Sequence, residues 1–364
     1  MEILDTTLRE GEQCYGVFFP IETKKRLACL LDDMGVAFIE VGHPAAAPSI
    51  RQAVAEIAAL PLNSRLIAHS RLDREEIRTV RELGLSWIGL FSGINTLSLN
   101  RYGLTRRAAY ERISAAILTA KELGLSVRFT CEDASRTDRN ELAELYGHLR
   151  ELGTDRLSYA DTVGTDTPAR IAGLQKSLSG VLPFEALHFH FHNDLGNALA
   201  NAVTAIGLGA QCIDASILGI GERTGLVALE DILALSKQGG ARQEKVGREY
   251  EEPLKVAREL ISGSINQLHF KQRAFAHKSG LHIHGILQDP SHYEPEDPLL
   301  TGGNRLIVLS KLMGRAGLRS VLSRFDIEDN EGNLMRILDR IKSDEFLEIA
   351  DAQEIGAYLE QFRN

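Results

Sequence analysis

Short β-rich segments alternate with amphipathic helical segments along the first two thirds of this chain, and this alternation restricts the possible folds most. Several helical segments end at a glycine that is followed by the next strand candidate, a pattern typical of βα units. These glycines are Gly35, Gly84, Gly124, Gly153 and Gly209. The strand candidates are Glu2–Thr6, Ala37–Gly42, Arg65–Ser70, Trp87–Ser92, Ser126–Cys131, Arg156–Ala160, Leu187–His192 and Cys212–Leu218.

Eight strand candidates within about 240 residues match the size of a (β/α)8 barrel. A doubly wound open sheet is the alternative, but it needs no such count and usually carries an early glycine fingerprint, which this sequence lacks. We therefore expect a TIM barrel in residues 1–240. In residues 241–364 we expect a linker and a C-terminal α-helical arm that packs on another subunit, with one or two amphipathic helices after residue 327.

The composition restricts the function as well as the fold. The formal net charge is −9 and no lysine- or arginine-rich block is present, which argues against nucleic-acid binding. The four cysteines are scattered without a C-x-x-C pair, so neither a disulfide framework nor a zinc knuckle is expected. Because there is also no leader and no long apolar run, we expect a cytoplasmic protein that does not associate with membranes.

The stretch LHFHFHNDLGNA, residues 187–198, places His188, His190 and His192 at alternate positions of a strand candidate. Alternate side chains of a strand share one face, and neighbouring imidazoles on that face are close enough to converge on one metal ion. His188 lies deeper on this face than the other two. We expect it to be a core histidine bonded to its neighbours and not a metal ligand.

In TIM barrels the active site lies at the carboxyl ends of the strands. These positions carry acids, arginines and histidines whose convergence is unfavourable unless they hold a ligand or a metal. Asp5 and Asp161 have a second interpretation, because each could cap a neighbouring loop. The set is Asp5, Arg9, Glu10, Gln13, Glu40, His43, His69, Arg71, Arg128, Thr130, Glu132, Asp161, Thr162, His190, His192, Glu222 and Arg223. It predicts a metal-polarised oxo acid, gripped by arginine, and an acid–base group.

Six segments, in order, resemble the acetyl-CoA-dependent 2-oxo-acid synthases, a family that includes homocitrate, 2-isopropylmalate and citramalate synthases. The resemblance covers Met1 to about Asp297, and homocitrate synthase is the most similar member. The segments are DTTLREGEQ, RFTCEDASR, ADTVGTDTP, HFHNDLGNALAN, LGIGERTG and FAHKSGLH.

The resemblance implies a Claisen-type condensation of acetyl-CoA with a 2-oxo acid. The matching positions imply that Glu10, His190 and His192 hold a divalent metal, which the 2-oxo acid chelates. They imply that Arg9 stabilises the negative charge that grows on the carbonyl oxygen, with Gln13 beside it. The sequence does not distinguish Mg2+, Mn2+, Co2+ and Zn2+.

Further positions of the family motifs imply additional roles. Thr162 would hold the 1-carboxylate of the substrate, and Glu132 would lie beside the reacting carbon. His277 and Tyr293 match arm residues that enter the site of the neighbouring subunit of a dimer and assist proton removal from the acetyl group. The loop containing Gly219, Gly221, Glu222 and Arg223 would lie near the coenzyme.

The substrate is indicated by Arg128 and Thr130, which look like the pair that binds the distal carboxylate of 2-oxoglutarate in homocitrate synthases. With an apolar substrate, a buried arginine here would be left unpaired. Homocitrate synthases carry a carboxylate-binding histidine on strand three. In this chain the histidine of that strand, His69, lies two residues nearer the barrel mouth. The expected substrate is therefore 2-oxoglutarate, with oxaloacetate or a phosphono analogue as alternatives, and 2-isopropylmalate or citramalate synthesis as a further one.

Two alternatives to a condensing enzyme remain. A metal-dependent lyase or aldolase would share the arginine, acid and H-x-H positions but generally lacks an arm resembling FAHKSGLH followed by SHYEP. A small-molecule sensor on an inactive barrel conflicts with the presence of all the expected ligands and of Arg9.

Overall fold

The computed structural model describes residues 1–238, 250–263, 274–295, 297–298 and 304–363. Eight parallel strands form a closed barrel in which each strand pairs with the next and β8 pairs with β1. The strands are β1 (Glu2–Asp5), β2 (Phe38–Gly42), β3 (Arg65–Ser70), β4 (Trp87–Ser92), β5 (Ser126–Cys131), β6 (Arg156–Asp161), β7 (Leu187–Phe191) and β8 (Cys212–Ala215). The predicted TIM barrel is therefore confirmed.

Helices surround the barrel and connect its strands. Thr105 and Asp138 cap two of them by accepting hydrogen bonds from backbone N–H groups of the first turn, and the five predicted terminal glycines all have positive φ. The helices are α1 (Ile21–Asp33), α2 (Pro48–Ala58), α3 (Arg74–Glu82), α4 (Thr96–Tyr102), α5 (Arg106–Glu122), α6 (Arg139–Glu151), α7 (Pro168–Leu178), α8 (Ala198–Gly207) and α9 (Leu229–Gln238).

The C-terminal region is mainly helical and has a core of its own, formed by residues such as Ile283, Leu318 and Leu334. Its helices are α10 (Glu251–Gly263), α11 (Gly280–Gln288), α12 (Arg315–Leu322), α13 (Glu331–Ser343) and α14 (Ala352–Glu360). Its strands are β9 (Ala276–His277), β10 (Leu306–Ile307), β11 (Leu309–Ser310) and β12 (Glu348–Ile349). The expected domain boundary at residues 240/241 lies outside the described residues.

A buried polar cluster joins the C-terminal region to the barrel. The Glu12 carboxylate, in the loop after β1, accepts hydrogen bonds from Lys24 (2.6 Å) and Lys311 (3.0 Å). Gly16 N donates to Glu348 Oε2 of β12 at 2.8 Å, and the Lys278 ammonium donates to backbone carbonyls of the same loop. The region therefore packs on the carboxyl ends of the strands.

The barrel interior below this junction is filled by side chains. Leu4, Phe38, Ile67 and Cys212 form a buried cluster, and the His188 ring packs edge-on against Phe38 with 5.8 Å between centroids. His188 is fully buried in this layer as expected, but neither of its ring nitrogens has a hydrogen-bond partner among the described residues.

No described helix is long and apolar enough to cross a membrane.

Candidate active site

A cavity of about 760 Å3 opens at the carboxyl ends of the strands and is closed on one side by α11, α12 and α13. Twelve of the predicted site residues line it: Arg9, Glu10, Gln13, His43, His69, Arg71, Arg128, Thr130, Glu132, Thr162, His190 and His192. Arg128, Thr130 and Glu132 share one face of β5 and its continuation, as their alternation predicts. His277, Tyr293, Gly219, Gly221, Glu222 and Arg223 are not among the lining residues.

Glu10, His190 and His192 form a cluster whose potential ligand atoms all lie within 4.8 Å of one another. The two Nε2 atoms are 3.3 Å apart, and His192 Nε2 is 3.7 Å from Glu10 Oε1. All three residues are buried. His190 lies in β7 and His192 directly follows this strand. Glu10 comes from the loop after β1, and β8 lies between β1 and β7 in the barrel.

The partners of the two rings determine which nitrogens carry hydrogen. His190 Nδ1 lies 3.0 Å from Asp214 Oδ2, and His192 Nδ1 lies 3.2 Å from the Gly225 carbonyl oxygen, so each Nδ1–H donates. Burial, and then Arg223, lower the pKa of His192 well below its usual value, so this ring is neutral. The His192 Nε2 lone pair therefore faces His190 Nε2 and the Glu10 carboxylate, an arrangement of potential ligand atoms that fits a divalent cation.

Arg9 is held against this cluster by a second buried carboxylate, Glu40. Glu40 Oε2 accepts hydrogen bonds from Arg9 Nε (2.8 Å) and Thr6 Oγ1 (2.5 Å). Burial favours protonated Glu40, but Arg9 and His69 outweigh it and keep its pKa well below the usual value. Arg9 also donates to Glu10 and, at 3.2 Å, to Gln13. The sequence placed Glu40 at the strand end without assigning it this anchoring role.

His69 occupies a position that limits its predicted carboxylate-binding role. Its ring stacks on Phe91 at 4.4 Å between centroids, and its Nδ1 lies 3.1 Å from Glu40 Oε1. Burial and the Arg9 charge lower the pKa of His69 to about 4. A neutral ring that donates Nδ1–H to Glu40 offers a ligand only the acceptor Nε2, which a substrate carboxylate cannot use.

Arg128 already has protein partners, so the prediction that an apolar substrate would leave it unpaired is wrong. Its Nη2 donates to Asp214 Oδ2 at 2.6 Å and to Ser158 Oγ at 2.8 Å. Asp214 pairs at the same time with His190, which the sequence did not indicate. Arg128 Nε is buried and has no hydrogen-bond partner among the described residues.

Several predicted residues hold neighbouring loops. The Thr162 hydroxyl accepts a hydrogen bond from Asp133 N at 2.8 Å and lines the cavity. Asp5 accepts from Thr7 N at 2.8 Å, and Asp161 accepts from Thr165 N at 3.0 Å, so both acids cap loops. Thr130 is half-buried in the cavity wall.

The arm reaches the barrel through Tyr293. Its hydroxyl donates to Glu132 Oε1 at 2.9 Å, while Arg101 donates to Glu132 Oε2 at 2.5 Å and also to the Tyr293 oxygen. Arg136, four residues after Glu132, donates to the carbonyl oxygens of Ser291 and His292. Sequence reasoning missed Arg101, which lies on α4 and not at a strand end.

The arm presents His282 to the cavity, and His277 lies behind it. His277 is fully buried and its Nε2 donates to Glu294 Oε1 at 3.0 Å. His282 lines the cavity, stacks on Tyr293 at 3.8 Å between centroids, and has its Nδ1 3.5 Å from Glu222 Oε1. Its position two residues after SG in FAHKSGLH is the signal that the sequence offered.

The glycine-rich loop GIGERTG is buried and supports the cluster. Glu222 N donates to Glu10 Oε1 at 3.1 Å, and Glu222 Oε1 accepts from the Lys278 backbone N at 2.7 Å. Arg223 pairs with Asp194 at 2.8 Å, and the Gly225 carbonyl accepts from His192. Its proximity to a coenzyme stays a prediction.

Comparisons with known proteins assign both parts of the chain. Residues 1–252 match the HMGL-like family, and residues 271–347 match the homocitrate synthase post-HMGL domain-like family. The homocitrate synthase of Pyrococcus horikoshii is 39% identical over 347 residues, which cover 94% of each chain. The homocitrate synthase of Saccharolobus islandicus is 37% identical over 348 residues, covering 94% of this chain and 76% of the relative.

Solved structures share the fold of the barrel part. The HMG-CoA lyase of Brucella melitensis superposes with a TM-score of 0.62 at 23% identity, over 72% of this chain and 97% of that chain. The Bacillus subtilis HMG-CoA lyase superposes with a TM-score of 0.64 at 22% identity, over 74% of this chain and 96% of that chain. At these identities the likeness concerns the fold alone.

Proposed function

We propose a reaction for this chain on the basis that it belongs to the HMGL-like family and carries a homocitrate synthase post-HMGL domain. It is an acyltransferase that converts an acetyl group into an alkyl group on transfer, condensing acetyl-CoA with a 2-oxo acid. The specific reaction we propose joins acetyl-CoA and 2-oxoglutarate to give homocitrate and CoA. The observation that carries this proposal is that Arg9, Glu10, His190, His192 and the arm's His282 all line the same cavity.

A divalent cation fits Glu10, His190 and His192, because two imidazole Nε2 atoms and a carboxylate oxygen converge there. Bound at this place, it would polarise the carbonyl group of the 2-oxo acid and make its carbon more electrophilic. Asp214 and Gly225 fix the ring orientations that such binding requires.

Arg9 is placed to stabilise negative charge during carbon–carbon bond formation. The attacking acetyl carbon adds to the 2-oxo carbon, and the electron pair of the C=O bond moves to its oxygen. The Arg9 guanidinium, fixed by Glu40 and Gln13, supplies N–H donors beside Glu10 for that charge. Thr162, at the cavity wall, is placed for the 1-carboxylate of the substrate.

His282 is the arm residue that we assign to proton removal, in place of His277. Burial and then the Arg223 charge keep the pKa of His282 well below its usual value, so the ring is neutral and accepts a proton from the acetyl methyl group. Tyr293 supports the ring by stacking, and Glu132 and Arg101 hold the Tyr293 hydroxyl. Hydrolysis of the resulting thioester then releases CoA and makes the reaction irreversible.

The choice of 2-oxoglutarate rests on the relatives and on the cavity wall. The two relatives named above are homocitrate synthases, and Arg128 and Thr130 both line the cavity. Oxaloacetate or a phosphono analogue would offer a similar anionic end. We propose further that the chain forms a homodimer whose arms exchange, although within a single chain the arm contacts its own barrel.

The test is thiol release from acetyl-CoA with a panel of 2-oxo acids at saturating metal. We expect the highest kcat/KM with 2-oxoglutarate and a product with the mass of homocitrate. A preference for oxaloacetate would keep the reaction and change the substrate. A preference for 3-methyl-2-oxobutanoate or pyruvate would contradict the dicarboxylate assignment, and absence of thiol release with every acid would contradict the reaction.

A further inference from the structure

The cavity extends well beyond the residues that would contact a 2-oxo acid. Its inner part contains the metal-compatible cluster, and its outer part lies between the loops after β2 and β3 on one side and α12 and α13 on the other. At about 760 Å3 the whole space is within the range of pockets that hold drug-sized ligands, and is far larger than a five-carbon acid requires. The outer part is therefore available for the second substrate.

Apolar side chains line the passage between the two parts. They come from α2, from the segment before α12 and from α13: Ile50, Leu312, Met313, Met335 and Leu338. An uncharged chain of pantetheine type can lie along such a surface with its thioester directed inward.

Cationic side chains surround the outer opening. Arg71 follows β3, Arg315 is the first residue of α12 and Lys342 lies near the end of α13, and all three line the cavity. The side chains of Arg71 and Arg315 are 63% and 62% exposed, so both have room to turn towards a ligand. Burial, and then the nearby Arg71 charge, lower the pKa of Lys342, which shows that two of the cations lie close together.

The positive charge here is only partly compensated. Arg71 pairs with Glu76, and Arg315 lies 3.4 Å from Glu331. Lys342 donates to the Ala46 carbonyl oxygen, and no carboxylate of the described residues is in direct contact with it. Asp339 is the acid among the lining residues of this part. Neighbouring cations on a cavity wall favour a multiply charged anion.

We propose that the outer part of the cavity binds the nucleotide end of acetyl-CoA, with Arg71, Arg315 and Lys342 contacting its phosphates. This inference rests on the proposed function, and it places the coenzyme opposite α12 and α13 instead of beside the GIGERTG loop. Pantetheine runs inward past Met313 and Leu338, which brings the acetyl group to His282 and Arg9. Specificity for CoA over simpler thioesters then depends on the helical region and not on the barrel alone.

The experiment compares acetyl-CoA, acetyl-dephospho-CoA and S-acetylpantetheine as substrates of the full-length protein. Wild-type protein should use acetyl-CoA best, because the truncated thioesters lose phosphate contacts. Arg71→Gln, Arg315→Gln and Lys342→Met should each raise KM for acetyl-CoA roughly tenfold or more, the size of one lost charge-assisted contact. KM for the 2-oxo acid should stay unchanged, and the preference for acetyl-CoA over S-acetylpantetheine should shrink by the same factor.

Matched controls come from the same helices. Arg319 on α12 and Arg340 on α13 do not line the cavity, so Arg319→Gln and Arg340→Gln should leave KM for acetyl-CoA within twofold of wild type. The site assignment is overturned if the cavity variants behave like these controls, or if wild-type protein uses S-acetylpantetheine as well as acetyl-CoA.

Calorimetric titration with free CoA separates this inference from the reaction itself. If no 2-oxo acid is consumed but CoA still binds, and the three variants weaken binding at least tenfold, the site stands and the proposed reaction fails. If condensation proceeds but CoA affinity is the same in variants and wild type, the reaction stands and the site fails.

Discussion

Asp214 uses one carboxylate oxygen to accept hydrogen bonds from both His190 and Arg128. Burial would raise the pKa of this acid, but Arg128 and His190 outweigh burial and lower it, so the carboxylate stays ionised. We expect Asp214→Asn to weaken divalent-metal binding roughly 10- to 100-fold, the usual effect of losing the acid behind a ligating histidine. Calorimetry on metal-stripped protein measures this. Ser158→Ala, which removes only the other Arg128 partner, is the control, and equal affinity of Asp214→Asn and wild type would contradict the role.

His282 and His277 differ in the expected effect of replacement. His282→Ala should lower kcat by roughly 10^2- to 10^4-fold, the usual contribution of a general base, with little change in KM for the 2-oxo acid. His277→Asn should lower kcat much less, because that ring lies behind the cavity. Steady-state kinetics of both variants test this assignment, which would fail if His282→Ala kept wild-type kcat while His277→Asn lost it.

Asp5 should make the stability of the barrel depend on pH. Burial raises its pKa to about 7 in the folded protein, against about 3.9 in an unfolded chain. Between pH 4 and 7 the folded state thus binds more protons than the unfolded state, and this contribution to stability, at most about 4 kcal/mol, is lost as the pH rises. Urea unfolding measures the free energy of unfolding at pH 5 and at pH 8. The decrease in this free energy from pH 5 to pH 8 should be smaller for Asp5→Asn than for wild type, and equal decreases would refute the role of Asp5.

The Glu12 cluster determines how firmly the C-terminal elements are attached to the barrel. Glu12→Gln would leave Lys24 and Lys311 buried without a carboxylate partner, a change that typically destabilises by about 3–5 kcal/mol. We expect lower stability in urea and faster proteolysis within the C-terminal region. Glu22→Gln, which breaks an exposed pair with Lys25, should change stability by less than about 1 kcal/mol. A Glu12 variant as stable as this control would contradict the proposed attachment.

At the level of elements, local sequence patterns were sufficient to predict the strands of the barrel but not to predict the helix α11. All eight strands lie within a few residues of their predicted positions, and α1, α5 and α6 each end two residues before a predicted terminal glycine. Alternation and terminal glycines are local signals, which is why the sequence reveals them. No helix was predicted at the position of α11, where Gly280 and Gly285 disfavour helix formation. A side chain at Gly280 would come within 2.4 Å of Gly314 N, so a close contact with the start of α12 requires this glycine.

In the site, too, local sequence patterns predicted some residues and not others. Residues at strand ends were predictable because TIM barrels gather them at one mouth, and the alternating histidines indicated their common face. Arg101, Glu294 and the partners of Arg128 were not predictable, since their roles depend on contacts between elements far apart in sequence. Choosing between His277 and His282 required knowing which ring reaches the cavity.

At the scale of the whole molecule, the proposed exchange of arms means that each arm completes the barrel of the other subunit. If arms are exchanged in a dimer, mixing an Arg9→Ala variant with a His282→Ala variant should restore up to about a quarter of wild-type activity, because random re-association leaves half of the dimers mixed and each mixed dimer has one intact site. Activity of refolded mixtures, with each variant refolded alone as the control, tests this. No recovery despite confirmed subunit mixing would mean that each arm serves its own barrel.

The hydrogen bond from Gly16 N to Glu348 also bears on how the protein is made. Its partners are 332 positions apart, so a nascent chain on the ribosome acquires the loop after β1 long before the carboxylate that holds it. Domains generally fold as units in the order of their synthesis, and the barrel is complete before β12 emerges. Prematurely terminated chains would thus present a folded barrel whose mouth lacks its cover, a surface that cellular quality control can recognise.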